Sequence, residues 1–156
     1  MERTLVVVKP DGVQRRLVGQ IIARFEQKGL KIVGLKMMQM SKNLAERQYA
    51  VHKGKKFYGS LIKFITSSPV VVLALEGKGA IAIVRRMMGK TFGSDAEPGT
   101  IRGDFAVSNS FNLVHGSDGP ETAQAELALF FRPEELMEYD AADREWIYDW
   151  SKGQPE

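Results

Sequence analysis

The residue best placed for nucleophilic chemistry is His115, in Asn112-Leu113-Val114-His115-Gly116-Ser117-Asp118, with Pro120 close behind. An apolar run, a histidine and then Gly-Ser-Asp is the composition of a strand end passing into a helix start. Gly116 would permit a positive φ, Ser117 or Asp118 would cap the helix, and Pro120 suits its first turn. Neutral imidazole, with an ordinary pKa of about 6.5, is a competent nucleophile at neutral pH. In the helix expected over 121–131, Ala123, Leu127, Phe130 and Phe131 form an apolar stripe, and Glu126 falls on or beside it. A carboxylate turned inward needs a partner, and His115, one turn earlier, is the candidate. A histidine held by a carboxylate has a fixed tautomer and its other nitrogen free. The same residues also fit a plain cap-region histidine and a helix-border glutamate, and spacing alone leaves both readings open.

The elements that must position this stretch follow from periodicity. Leu5-Val6-Val7-Val8 is apolar on both faces and reads as a central strand, ending at the turn Lys9-Pro10-Asp11-Gly12. Leu17, Val18, Ile21, Ile22 and Phe25 repeat at helical spacing, and Gly29 stops that helix. A second strand is expected over 30–40. A short helix then runs to about His52, opened by Ser41 or by Asn43, which with Glu46 resembles a capping box. A further helix spans 57–67 with Leu61, Ile62, Phe64 and Ile65 turned inward. Val70 to Leu75 reads as a third central strand, Ala80 to Met88 as a helix, and Leu113 to His115 as a fourth strand. Residues 89–111 carry no clear period, and so long a stretch within a compact domain is usually functional. Arg132 to Leu136 reads as a turn of helix, and Ile147-Tyr148-Asp149-Trp150 as a tail that docks on its own domain or on another subunit. Few, short strands with helices to cover one face predict an α+β sandwich, and nothing marks a linker that would divide residues 1–156.

Composition narrows the function classes. A chain of 156 residues with 44% hydrophobic and 26% charged side chains suits one soluble domain. It has no cysteine, which excludes disulfides and thiolate zinc sites and fits a reducing compartment. The N-terminus lacks a signal-peptide pattern, and no apolar run approaches the roughly 18 residues of a membrane span. The expected location is the cytoplasm, with no membrane partner. The net charge of +3 is mild and dispersed, which suits small anions better than a nucleic-acid backbone. The short basic run Lys53-Gly54-Lys55-Lys56 reads as a solvated helix end, and His52, without ligand spacing to another histidine, as a surface residue.

Three decoys fail on context. Gly89-Lys90-Thr91 lacks the first glycine of a phosphate-binding loop, Val84 standing in its place. Gly77-Lys78-Gly79-Ala80-Ile81-Ala82 fits a dinucleotide fingerprint, but no strand ending in an acidic residue follows about 20 positions on. Arg102-Gly103-Asp104 is too short to carry an adhesion reading. RNA binding is disfavoured because the central strands lack aromatic residues.

The run N-x-x-H-G-S-D at 112–118 resembles the active-site signature of nucleoside diphosphate kinases, and the resemblance extends from about Arg3 to Trp150. V-K-P-D-G-V-Q-R around Lys9 and P-G-T-I-R-G-D-F around Arg102 are similar to two further stretches of that family. The resemblance implies a ferredoxin-like βαββαβ sandwich with an antiparallel four-stranded sheet and added helices. It implies transfer of the γ-phosphate of a nucleoside triphosphate such as ATP to a nucleoside diphosphate through phosphohistidine, with Mg²⁺. Residue by residue, His115 would be the nucleophile, through Nδ1, with Ser117 and Glu126 orienting it. Lys9, Arg85, Thr91 and Arg102 would hold phosphates, and Tyr49 would approach both His115 and the phosphates. Phe57 would stack on the base, Asn112 would contact the ribose, and Asp118 would lie near Mg²⁺, through water. The sequence departs from the family at Thr91-Phe92-Gly93, where many members carry Asn or Asp and then Pro, in a loop that touches a neighbouring subunit. The aromatic tail is more similar to hexameric than to tetrameric members. The rival readings are a dinucleotide-binding protein and a catalytically silent nucleotide-binding or regulatory relative.

Overall fold

The computed structural model describes residues 1–156. Its frame is a four-stranded sheet formed by β1 (Glu2–Val8), β2 (Lys31–Met38), β3 (Val70–Gly77) and β4 (Val114–Gly116). The strand order is β2-β3-β1-β4 and every pairing is antiparallel. The helices that matter for the site are α1 (Pro10–Gln14), α2 (Val18–Gln27), α3 (Lys42–Gln48) and α4 (Tyr58–Ile65). They are joined by α5 (Ala80–Met88), α6 (Ile101–Phe105), α7 (Pro120–Phe130) and α8 (Arg144–Ile147). This is the expected α+β, ferredoxin-like plan.

Alternation along β1 and β3 explains the layering, because successive side chains point to opposite faces. Val6, Val8, Val71, Leu73 and Leu75 pack with Ile21 and Phe25 of α2 and Val84 and Met88 of α5. Leu5, Val7, Val70, Val72 and Ala74 pack on the other face with Ile62 and Ile65 of α4 and Leu127 and Phe130 of α7. Helices thus cover both faces of the sheet, not one, and this is why residues 5–8 of β1 and 70–75 of β3 are apolar at every position. Each fully buried Leu, Ile or Phe contributes about 1.5–3 kcal/mol relative to an exposed one.

Local signals held in most places. The helix at 80–88 has the expected bounds, and Gly29, at φ 91°, stops α2. Ser41 caps α3 by accepting from the Leu44 amide at 3.1 Å, so Asn43 and Glu46 form no box. Residues 89–111 are not structureless: they hold a 3₁₀ turn at Gly93–Asp95 and α6, capped by Thr100. The tail docks on its own chain, where the Tyr148 hydroxyl accepts from the Lys78 amide at 3.2 Å and Ile147 covers Gly29. No helix is long and apolar enough to cross a membrane.

Candidate active site

His115 lies on β4, an edge strand of three residues whose partner is the end of β1, with His115 opposite Val7. The chain enters β4 through Leu113, which adopts φ 72°. A branched residue in that region costs of order 1–3 kcal/mol, and the turn is held from both sides. The Lys9 amide donates to the Leu113 carbonyl at 2.8 Å, and the Leu113 amide donates to Asp11 Oδ2 at 3.0 Å. The junction of β1 and α1 therefore fixes the approach to His115.

Two sequence expectations are corrected here. Gly116 has no positive φ; it is required because a Cβ there would come within 2.6 Å of Met88 Sδ and 3.3 Å of Val84 Cγ1. Neither Ser117 nor Asp118 caps α7, whose N-cap is Gly119 without a side-chain bond, although Pro120 does occupy the first turn. The Ser117 hydroxyl is committed elsewhere. It accepts from the Leu5 amide at 3.3 Å and donates to Glu126 Oε2 at 2.8 Å.

Glu126 is buried on the inner face of α7, and both of its oxygens lie 3.0 Å from His115 Nε2. Burial pushes this carboxyl's pKa up, but the hydrogen bond and charge of His115, with the bonds from Ser117 and Gln48, outweigh it and hold the pKa below the ordinary value. An ionised carboxylate accepts only, so Nε2 carries the hydrogen. Nδ1 has no hydrogen-bond partner within the chain, and the imidazole is partly exposed, with 24% of its side chain accessible. The geometry thus commits Nε2 to Glu126 and leaves Nδ1 without a partner within the chain. Tyr49 packs edge-on against the His115 ring, with centroids 6.0 Å apart. Burial and the Glu126 charge push its phenol pKa up, so it stays neutral.

The cationic residues converge on the same end of the sheet. Lys9 is buried, and desolvation, with repulsion from Arg102, lowers its ammonium pKa from 10.5 to about 8 against the opposing pull of Asp11. Its Nζ sits 5.7 Å from the centre of the Phe64 ring. Arg102 is buried as well. Its Nε, Nη1 and Nη2 donate to the carbonyls of Asn112, Gly89 and Val114 at 3.1, 3.1 and 2.7 Å. Burial and the charge of Arg85 lower its pKa to about 10. Arg102 is therefore a structural tie between β4 and the 89–111 segment, and guanidinium hydrogens beyond those three bonds remain for an anion. Arg85 is exposed at the end of α5, where it contacts the Gly116 carbonyl at 3.5 Å. The charge of Arg102 lowers the pKa of Lys9 and that of Arg85 lowers the pKa of Arg102, so these cations lie close enough together to favour a polyanion between them.

The remaining expected residues fall around this centre. Thr91 is exposed and its carbonyl accepts from Asn112 Nδ2 at 2.8 Å. Asn112 is buried, with Oδ1 left unpartnered. Phe57 is 49% exposed at the rim. Asp118 is exposed beside the Ser117–Glu126 pair. No cluster of three or more His, Cys, Asp or Glu side chains forms a metal cage. A hard cation at this site would take most of its oxygens from substrate phosphates and water. A cavity of about 510 Å³ between β2 and the C-terminal tail lies at the far end of β1, away from all these groups.

The sequence gives His52 as a surface residue and Gln48 no role. His52 is partly exposed, its ring 5.3 Å from Phe57 and 6.3 Å from Tyr49. Burial lowers its pKa, and so do Lys55 and His115. Gln48 Nε2 lies 3.1 Å from His115 Nε2, 67 residues away in sequence. The only signal for either was adjacency to Tyr49 at the end of α3.

The nucleoside diphosphate kinase family model matches residues 2–136. The nucleoside diphosphate kinases of a Picosynechococcus and a Roseiflexus species are each 56% identical over 149 residues, covering 96% of this chain and 100% of theirs. The structure of a halophilic nucleoside diphosphate kinase from Halobacterium salinarum in complex with CDP superposes with a TM-score of 0.93. It is 48% identical and covers 95% of this chain and 99% of its own. A Babesia bovis family protein gives a TM-score of 0.92 at 44% identity, covering 95% of this chain and 100% of its own. Within Gly77–Ala82, Gly79 is the left-handed N-cap of α5, at φ 63°. With the histidine signature, its glutamate partner and the four-stranded sheet in agreement, the chain belongs to the nucleoside diphosphate kinase family.

Proposed function

We propose that the chain moves the γ-phosphoryl group of a nucleoside triphosphate to a nucleoside diphosphate by way of His115, and that residues 1–156 act as one domain. The observation that carries this reading is the fixed imidazole: Nε2 is committed to Glu126 and Nδ1 is left unpartnered, on a strand to which Lys9 is tied through Leu113 and Arg102 through Val114. Nδ1 attacks the γ-phosphorus, the bond to the β–γ bridging oxygen breaks, and the diphosphate leaves with that electron pair. A second diphosphate then takes the phosphoryl group back, a ping-pong sequence. As the Nδ1–P bond forms the ring gains positive charge, which the Glu126 carboxylate stabilises through Nε2–H.

The loose transition state asks mainly for charge neutralisation and alignment. Lys9, Arg85 and Arg102 supply the cations, and the Thr91 hydroxyl a hydrogen bond. Tyr49 limits the swing of His115 and faces the phosphates. Phe57 stacks on the base, and since every base offers a π-face the pocket accepts purines and pyrimidines. Asn112 contacts the ribose, and its unpartnered Oδ1 supports that role. Asp118 would hold Mg²⁺ through water, with the nucleotide phosphates as its other ligands, and the bound ion would supply neutralisation of phosphate charge. We also propose a cytoplasmic homo-oligomer, a hexamer more than a tetramer, which a sedimentation measurement would decide. The exposed apolar residues Leu35, Met37, Phe92 and Phe111 support assembly.

Incubation with γ-labelled ATP and Mg²⁺, without acceptor, tests the reading. Acid-labile, alkali-stable label that is absent from His115→Ala and moves to added GDP and CDP alike is the expected result. Label that stays on the protein would favour a regulatory relative instead.

A further inference from the structure

We infer that Asp11 is a positioning residue for the phosphoryl relay: its carboxylate clamps the strained turn that joins Asn112 to His115 and so sets both residues against Lys9. The inference rests on the proposed role of His115. The turn is centred on Leu113, at φ 72°, and the Val114 amide donates across it to the Asn112 carbonyl at 2.8 Å. A bond from residue i+2 back to residue i over a centre with positive φ is the rare, strained form of the γ-turn. Leucine has no polar group of its own to hold such a turn, and strain of this kind persists only where the surroundings over-determine it. The turn lies directly between the residue proposed to contact the ribose and the proposed nucleophile.

Both polar groups of Leu113 are spent on the start of α1. The Lys9 amide donates to its carbonyl at 2.8 Å, and its own amide donates to Asp11 Oδ2 at 3.0 Å. Gly12 permits this approach, since a Cβ there would come within 3.2 Å of the Leu113 carbonyl and 2.7 Å of Val8 Cγ1. Arg102 holds the carbonyls on either side, that of Asn112 through Nε and that of Val114 through Nη2. Only Asp11 bonds the amide at the centre of the turn. Its other oxygen, Oδ1, is buried and receives no hydrogen bond, so Leu113 is the one donor that this side chain serves. Without the clamp the Leu113 amide is left without an acceptor, a state that costs free energy when buried, and the peptide before Leu113 gains freedom to turn over. Asn112 and His115 then shift relative to Lys9, whose backbone belongs to the same junction. The role passes through the backbone of the turn and involves no contact with the nucleotide.

Two variants separate position from charge. Asp11→Asn keeps an oxygen for the Leu113 amide and loses the charge; since nothing donates to Oδ1, an amide nitrogen in its place breaks no bond. Asp11→Glu keeps the charge and displaces the oxygens by one methylene. Both are assayed at pH 6.5, well below the Lys9 pKa of about 8, so that Lys9 stays charged when the Asp11 carboxylate is lost. Phosphorylation of the enzyme by γ-labelled ATP at saturation should fall about 10–100-fold in Asp11→Glu, with the ATP concentration for half-saturation changed by less than about threefold. The conservative Asp11→Asn should stay within about threefold of the parent at saturation. Hydrogen exchange at the Leu113 amide should quicken in Asp11→Glu alone. Parent-like rates in Asp11→Glu would overturn the inference, as would an equal fall in both variants, which would assign the effect to charge, or a loss confined to half-saturation. Rates are read on folded protein, and should Asp11→Glu not fold, Asp11→Ser, one atom too short to reach the amide, carries the same expectation. Failure of the parent protein to label at all would overturn the His115 reading instead, and is distinguishable from each of these results.

Discussion

Lys9 carries a cost that the fold accepts for the sake of the site, and that cost is measurable. Its ammonium is buried, and its pKa falls from 10.5 to about 8 because desolvation and the Arg102 charge outweigh the pull of Asp11. The difference, 10.5 minus 8, at about 1.36 kcal/mol for each pH unit, makes the charged form about 3 kcal/mol costlier in the folded chain than in the unfolded one. The contact with Phe64 at 5.7 Å returns about 0.5–2 kcal/mol. Lys9→Met, close in shape and uncharged, should therefore stabilise the protein at pH 6.5 by about 1–2 kcal/mol, or roughly 2–8 °C in Tm for a chain of this size. The sign with pH follows from proton counts. Between about pH 8 and 10.5 the unfolded lysine holds a proton that the folded one has lost, so the parent's stability rises with pH there and the advantage of Lys9→Met shrinks. Denaturant unfolding of both proteins at pH 6.5 and at pH 9.5 reads this directly. A variant less stable than its parent at pH 6.5, or an advantage that grows with pH, would refute the reasoning. Nucleotide affinity should move the other way, falling in Lys9→Met because the phosphates lose a desolvated cation.

Arg102→Lys keeps the charge but cannot tie three carbonyls at once, so it should cost about 2–4 kcal/mol in urea unfolding and loosen the 89–111 segment to hydrogen exchange. Glu126→Gln removes charge-assisted bonds worth about 1.5–3 kcal/mol each, so single-turnover phosphorylation should slow by roughly 10–100-fold while nucleotide binding is kept. The folded carboxyl has a lowered pKa, so its stabilisation is present above the unfolded value near 4.5 and is lost as pH falls through the folded one. The stability gap between parent and Glu126→Gln should accordingly close on acidification, as read from thermal melts between pH 7 and 3.

Much of this was legible in the sequence because it is local. Apolar alternation in 5–8 and 70–75, helical spacing in 17–25 and 80–88, and Glu126 on an otherwise apolar stripe each report one element's buried face. What escaped detection depends on contacts between elements. Gly116 looked like a conformational glycine, yet it is small because Met88 and Val84 cross β4 there. The positive φ belongs to Leu113, a residue whose type argues against it, and only Asp11 and Lys9 from another part of the chain make it tenable. Arg102 read as a phosphate ligand, and it is in addition the tie that holds the loop to the strand. Gln48 and His52 had no signature at all, since a polar residue at a helix end is ordinary until α3 is seen against β4.

The phosphohistidine route turns most directly on which nitrogen of His115 reacts. The protein, labelled with ¹⁵N in its histidines, would be phosphorylated with ATP and Mg²⁺ and examined by ³¹P and ¹⁵N NMR. Phosphorus coupled to Nδ1 of His115, with Nε2 protonated and bonded to Glu126, is the predicted result. Phosphorus on Nε2, or on any other side chain, would contradict it.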